Sequence, residues 1–497
     1  MKKINSVKRI TIVGGGTSAW LSAAFFLKQS QFGTEIVVID KEKGNPVGVG
    51  EATLLSFKTF MDFCGFPIQS WFDEIDATFK SGILFTNWNR QNDDIWHPFC
   101  FPQFDFLKSS LLNLWSKTNF GLKTHGSALY ECSVKENKID TNNIGAYAFH
   151  IDCGKLVKFI QSQIKNNINF INSEVIDIIR DDTGDINHLL LVNGQKIESD
   201  LYIDCTGFKR FLGSKPKTVN LRDRLFCDTA IAGHIPYKNE SEEMRPYVIC
   251  DAVEHGWIWN IPVRSRIGSG LVFNRSVTDI EEAKEYFVNY WDNRVEKESL
   301  KVIDWTPYYH ENFWDNNVVS IGLSAGFIEP LESTGVGLIC AGILELGDRL
   351  KKAHYNYDDI NLYNCKMKCF FESAVDFVNM HYSNTNRFGK FWEWVKREHT
   401  VNTTHQYFID EFLNNPYSFP HGGTEMFDGN NWSIWLCQLN TSFIPKFADG
   451  VDTKHSYELV NNFHDNEIEK HKNSILHSEF VKTFTKELNG KNGKNIR

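Results

Sequence analysis

The sequence predicts an α/β fold in which a Rossmann-like core carries an antiparallel sheet and is followed by a mainly helical C-terminal part. Three observations predict it. The apolar, β-branched run Arg9-Ile10-Thr11-Ile12-Val13 breaks at Gly14-Gly15-Gly16 and resumes as Ala19-Trp20-Leu21-Ser22-Ala23-Ala24-Phe25-Phe26-Leu27, which reads as strand, tight turn and buried helix. Glu35-Ile36-Val37-Val38-Ile39-Asp40 is a second apolar strand that ends in a carboxylate. Residues 225–310 alternate as antiparallel strands do, and from 370 onward the pattern turns helical and aromatic.

The elements follow in order from residue chemistry. Gly14 and Gly16 let the backbone turn and approach a pyrophosphate, whose charge the N–H groups of Thr17 and Ser18 at the helix start are expected to hold. Ala19 stands where a third glycine is usual and is small enough for close helix–strand packing. Asp40 is placed to bond a ribose hydroxyl, so the turn predicts FAD or NAD rather than a plain glycine turn. Pro46-Val47-Gly48-Val49-Gly50-Glu51-Ala52-Thr53 is a second glycine-rich segment, expected against the cofactor and otherwise an ordinary loop. Thr78 to Trp88 reads as one strand, on which Lys80 shares a face with Gly82, Leu84 and Trp88. A lysine on an apolar face is unusual, although most strand lysines are solvated.

Residues 91–130, with His97-Pro98-Phe99-Cys100-Phe101-Pro102, read as an aromatic insertion. A helix from Asp152 to Lys165 leads to a strand over 169–177, a hairpin turning at Asp182-Thr183-Gly184, and Leu201-Tyr202-Ile203-Asp204-Cys205-Thr206-Gly207-Phe208. Strand, hairpin and returning D-x-T-G strand have the layout of the second FAD-binding half of flavoprotein hydroxylases, which favours FAD over NAD. Trp257-Ile258-Trp259-Asn260-Ile261-Pro262 sets two indoles on one face, with Pro262 expected to end the ladder. The buried strand Val318 to Leu323 then feeds, through residues 324–335, a helix that turns Val336, Ile339, Cys340, Ile343, Leu346 and Leu350 inward.

At 497 residues the chain is too long for one small core. The expected division is an FAD-binding module over 1–370, containing the insertion and the 225–310 sheet, a helical region over 371–488, and a disordered tail over 489–497. A net charge of −9 argues against a nucleic-acid partner. The first strand follows Met1-Lys2-Lys3 too closely for a secretory leader, and no apolar run is long enough to span a bilayer, so a soluble, cytoplasmic protein without membrane association is expected. Eleven cysteines without C-x-x-C spacing predict buried thiols and no metal site.

Together, Gly14 to Trp20, Gly48 to Thr53, Lys80, the W-x-W-x-I-P stretch from Trp257 to Pro262 and Glu329-Pro330-Leu331-Glu332-Ser333-Thr334-Gly335 resemble the flavin-dependent tryptophan halogenase family, from residue 9 to about 440. W-x-W-x-I-P with P-L-E-S-T-G is far more specific than any glycine motif. The resemblance implies a two-component enzyme with a glutathione-reductase/hydroxylase-like FAD-binding core. In that family, FADH2 supplied by a separate NADH-dependent flavin reductase reacts with O2, and the product of that reaction oxidises chloride, bromide or iodide. Hypohalous acid then travels through a tunnel to an aromatic substrate. Cofactor contacts are implied at Gly14, Gly16, Thr17, Ser18, Ala19, Asp40, Val49, Gly50, Glu51, Ala52, Val175, Leu323 and Val336. Ser333, Thr334 and Gly335 are implied to bind halide at a helix N-terminus. Trp257, Trp259 and Pro262 would form a wall between flavin and substrate, Lys80 would offer its amine at the tunnel end, and Glu332 would take the ring proton or orient the halogenating species. Read without the family, Ser333 and Thr334 are helix caps, the indoles are core packing, and Glu332 is a carboxylate at a helix start.

One departure bears on the substrate. Where family members acting on free tryptophan carry adjacent tyrosines, this chain has Asn431-Trp432-Ser433, so free tryptophan is not the expected substrate. His97 and Phe99 match the family's H-x-F, whose rings sandwich an indole, and Trp432 is expected to line an aromatic opening with Trp435, Phe388, Phe391 and Trp392. An indole or another electron-rich arene is therefore expected, with a homo-oligomer left open. The rivals are a hydroxylating flavin monooxygenase, whose usual G-D is Gly322-Leu323 here, and a non-catalytic flavin-binding protein.

Overall fold

The computed structural model describes residues 5–29, 33–41, 49–99, 134–139, 147–213, 217–351, 354–383, 386–399, 403–414, 426–439, 465, 469 and 472–491. Its core is a six-stranded sheet in the order Asn169–Asn172, Glu35–Asp40, Arg9–Val13, Leu201–Asp204, Val318–Ser320 and Trp314–Asp315. All neighbours pair in parallel except the last two strands. Helices cover a parallel sheet, and so the strands are apolar on both faces: Ile10, Ile12, Val37 and Val38 are all buried. The helix Thr17–Gln29 leaves the glycine turn and packs against Cys153–Ile164 and Thr334–Arg349. Asp152 caps the second of these, its carboxylate accepting from Lys155 N at 2.9 Å.

Beside the core lies a seven-stranded sheet in the order Lys301–Asp304, Thr229–Ile235, Arg266–Phe273, Gly256–Val263, Val248–Val253, Gly82–Thr86 and Asp94–Pro98. Two of its strands come from well before residue 225, which corrects the expected boundaries of the sheet. Residues 94–98 form an edge strand rather than the start of an insertion, because Gly82 through Thr86 pairs with them in an antiparallel hairpin. Residues 100–130 of the expected insertion lie outside the described residues. The strand Gly256–Val263 continues through Pro262, which pairs with Ile267, so Pro262 does not end the ladder. Pairing with the strand on the other side stops at Asn260, and the proline therefore faces no partner there that needs its missing N–H.

The expected strand over 78–88 divides at Ser81. Thr78–Lys80 joins a small sheet with Ala148–Ile151, whereas Gly82–Thr86 joins the large one. Ser81 N–H donates to Pro246 O at 2.6 Å and its own carbonyl accepts from Phe99 N, so the chain changes sheets there. Lys80 consequently does not share a face with Leu84, and it is fully buried. Gly82 is required at this corner, since a Cβ would lie 2.5 Å from His97 O.

The C-terminal part is helical: Tyr357–His381, Lys390–Glu398, Thr403–Asn414, Gly429–Leu439 and His477–Lys491. Asn356 and Asp359 form a capping box at the first of these. Residues 489–491 belong to the last helix rather than to a disordered tail, because Phe480 and Phe484 anchor that helix on Phe79, and His477 Nε2 meets Phe79 N–H at 3.2 Å. Residues 492–497 are outside the described set. The eight cysteines whose side chains are described are all free, no group of ligands among the described residues could hold a metal ion, and no described helix is long and apolar enough to cross a membrane.

Candidate active site

The first part of the site is the glycine turn. Gly14 has φ 133°, and a Cβ there would lie 2.2 Å from Cys205 O, so glycine is enforced by both conformation and space. The Asp40 carboxylate lies over Gly15, where a Cβ would come within 2.0 Å of it. Gly16 faces open space, with nothing within 4 Å of where its Cβ would be. An open glycine beside the first, unpaired N–H groups of Thr17–Gln29 and the end of Glu35–Asp40 forms a cradle that fits an adenine dinucleotide. Ala19 is fully buried.

Gly50 (φ 87°) lies against Gly268, whose Cβ would meet Val49 O at 2.0 Å, so two glycines let this segment cross the large sheet closely. The Glu51 carboxyl is pushed up to about 7 by burial and accepts from Cys153 N–H at 3.2 Å. Ala52 is buried, and Leu323, on the turn after Gly322 (φ 77°), is exposed. Val175 and Val336 are largely enclosed, Val175 with Val13, Val37 and Ile39.

Lys80 is the centre of the second part. Its Nζ donates to Thr53 O at 3.1 Å and Ser333 Oγ at 2.9 Å and lies 4.8 Å from the centroid of the Phe99 ring. Thr53 holds that carbonyl in place through its hydroxyl and N–H, both of which bond Phe149 O. Burial pushes the Lys80 amine down to about 7, while Glu332 and Cys250 pull it back up. Ser333 sits at φ 60° at the start of Thr334–Arg349 and makes no capping bond, its hydroxyl being turned to Lys80. The helix-cap reading of Ser333 is thereby corrected. Thr334 is buried, and Gly335 faces open space.

Glu332 also has a left-handed backbone, φ 60°, in the turn that precedes the helix. Its Oε1 lies 2.8 Å from His97 Nδ1 and 2.8 Å from His381 Nε2, and its Oε2 lies 2.9 Å from His97 Nδ1. All three side chains are at least nine-tenths buried. Burial alone would raise the Glu332 carboxyl, but His97 and His381 outweigh it and hold the group well below the usual carboxylate range. Glu332 is therefore a carboxylate hydrogen-bonded to two histidines rather than one resting on a helix dipole, with burial lowering the His381 imidazole and Glu332 pulling it back up.

Trp257 and Trp259 project together, ring centroids 6.3 Å apart and both buried. Trp257 Nε1 donates to Tyr382 OH at 3.1 Å, and Tyr382 OH donates to Glu329 Oε1 at 2.6 Å. Burial pushes Glu329 up to about 8. The Trp259 ring lies over Gly270, where a Cβ would come within 2.1 Å of it. Pro262 is set into the same strand, its carbonyl accepting from Thr78 Oγ1 at 2.5 Å.

Two expectations for the substrate side are altered. Trp432 stacks on Phe408 at 4.3 Å and 11° and is 1% exposed, and Trp435, Phe391 and Trp392 are likewise buried. Aromatic packing, with Phe408 on Trp432, Phe85 on Trp435 and Trp88 on Trp392, consumes these faces, so of the expected opening only Phe388 is exposed. His97 is held at its edges, by Glu332 on one side and Asn431 Oδ1 at 3.0 Å on the other. The side chain of Ser433 and residues 440–450 lie outside the described set. Sequence reasoning missed Thr53, Glu329, His381 and Tyr382. Thr53 and Glu329 stand inside the quoted motifs, while His381 and Tyr382 carry no local signal.

A family of proteins described as tryptophan halogenases matches residues 9–450. The chain is 27% identical over 408 residues to tryptophan 6-halogenase of Streptomyces albogriseolus, and 27% identical over 404 residues to tryptophan 7-halogenase of Lentzea aerocolonigenes, covering 76% of both partners in each case. A solved flavin-dependent halogenase from Xanthomonas campestris superposes with a TM-score of 0.87 at 25% identity, covering 96% of this chain and 98% of the other.

Proposed function

Because this chain belongs to the tryptophan halogenase family, we propose that it halogenates an indole-like, electron-rich arene with FADH2, O2 and a halide, the FADH2 coming from a separate NADH-dependent flavin reductase. The observation that carries the reading is the buried Lys80 amine, bonded to Ser333 one residue from Glu332. Neither a hydroxylase nor a passive flavin carrier needs a lysine desolvated in this way.

Gly14, Gly16, the helix-start N–H groups of Thr17 and Ser18, and Asp40 would hold the FAD, with Val49 to Ala52 and Leu323 as further contacts. When bound, the reduced flavin supplies, with O2, the two-electron oxidation of halide to hypohalous acid. Thr334 and Gly335 offer helix-start N–H groups to the halide. Trp257 and Trp259 separate flavin from substrate, held in place by the Tyr382–Glu329 hydrogen bonds and by Gly270. A protonated Lys80 has three N–H donors, and Thr53 and Ser333 take two. The third donates to the oxygen of hypohalous acid and makes the halogen more electrophilic. Glu332 then receives the proton that the substituted ring releases.

The test is incubation with a flavin reductase, NADH, FAD, air, each halide, and a panel of indoles and phenols that includes free tryptophan, read by product mass. Halogenated product is expected. Hydroxylated product would favour the monooxygenase, and no product from any substrate would favour a passive flavin protein.

A further inference from the structure

Glu332 lies between two histidines whose outer nitrogens are already committed. His381 Nδ1 lies 2.7 Å from Phe377 O, a group that only accepts, so Nδ1 carries a hydrogen. Asn431 Nδ2 donates to Asp428 Oδ1 at 2.9 Å, which turns Asn431 Oδ1 toward His97 Nε2 at 3.0 Å, so that nitrogen carries a hydrogen too. The inner nitrogens, His381 Nε2 and His97 Nδ1, both face the carboxylate. A neutral imidazole would present a lone pair to an anionic oxygen across each contact. Each contact therefore needs a proton of its own, and the three residues together hold two protons more than a bare carboxylate and two neutral rings.

From this count we propose that His381, which the proposed function leaves without a role, is a positioning residue that makes Glu332 Oε2 the proton acceptor of the halogenation step. This inference rests on that function. His381 donates to Oε1 alone, while the single His97 N–H is shared between Oε1 and Oε2. Oε1 is therefore the more heavily engaged oxygen, and Oε2 keeps the more basic lone pair. In the step, the C–H bond at the halogenated carbon breaks, its electron pair returns to the ring, and an O–H bond forms at Oε2. The ionisable groups facing the cluster are Lys80 and Cys250, with Glu329 interacting through Cys250. The remaining neighbours of the His381 ring are Phe85, Trp88, Phe377 and Trp435, which fix its plane.

Two variants and two readouts test this. In flavin-free protein labelled with 15N-histidine, both nitrogens of His381 should appear protonated at pH 7. An unprotonated Nε2 would overturn the proposal, and this measurement stands whether or not the enzyme halogenates. His381→Phe keeps the packing and removes the donor. It should lower kcat about 100-fold with KM little changed, and should raise the isotope effect with a ring-deuterated substrate because proton loss becomes limiting. His381→Gln, which can still donate to Oε1, should recover most of the rate. Near wild-type kcat with an unchanged isotope effect in His381→Phe would overturn the proposal. A wild type that binds both protons but forms no halogenated product would instead sink the proposed function.

Discussion

Replacing Lys80 by methionine should stabilise the protein in mild acid and lose that advantage as the pH rises. Methionine keeps most of the unbranched stem and removes the charge. In the native state burial lowers the amine from 10.5 to about 7, which corresponds to about 5 kcal/mol against the protonated form. The lost hydrogen bonds to Thr53 O and Ser333 Oγ offset about 1 kcal/mol each, leaving a net gain of about 3 kcal/mol. The sign follows from proton counting. Below pH 7 native and unfolded lysine are both protonated, so the wild type bears the full penalty. Between pH 7 and 10.5 the unfolded chain keeps a proton that the native state has released, and wild-type stability gains about 1.4 kcal/mol per pH unit relative to the variant. Urea unfolding of both proteins at pH 6, 7.5 and 9, compared as midpoints, reads the difference, and titrations of groups remote from Lys80 cancel. Parallel pH dependences would refute the reasoning, since they would mean that Lys80 is not desolvated in solution. The same variant should form no halogenated product.

Ser333→Ala should lower the halogenation rate about tenfold, the worth of one hydrogen bond to a reacting amine, while a flavin-binding titration stays unchanged. Gly14→Ala should destabilise the flavin-free protein by about 1–3 kcal/mol, because the new methyl meets Cys205 O. Gly16→Ala has room in the flavin-free protein and should leave its unfolding midpoint alone while weakening FAD binding, as read by flavin fluorescence. Gly270→Ala should displace the Trp259 ring and cost about 1–3 kcal/mol, with a changed near-ultraviolet circular dichroism spectrum.

Short-range features were legible in the sequence because their causes are short-range. The turn at Gly14, the buried helix behind it, the Asp152-capped helix and the inward face of Thr334–Arg349 each follow from spacing within one element. The motif from Glu329 to Gly335 likewise set Glu332, Ser333 and Thr334 beside one another, since they are consecutive. What the sequence could not decide were contacts whose partners are far apart in the chain. Lys80 looked like one position of a continuous strand, but Ser81 bonds Pro246 and Phe99, and the break sends Lys80 into a buried sheet beneath a helix some 400 residues later. Trp432 looked like a ligand surface until Phe408 covered its face, because an apolar ring is equally suited to a cavity or a core. His381 sits at the end of a helix whose apolar pattern gives it no special weight. Only tertiary packing, which sets its ring against Trp435 and its Nε2 against Glu332, 49 residues earlier, turns it from a helix residue into part of a proton-holding cluster.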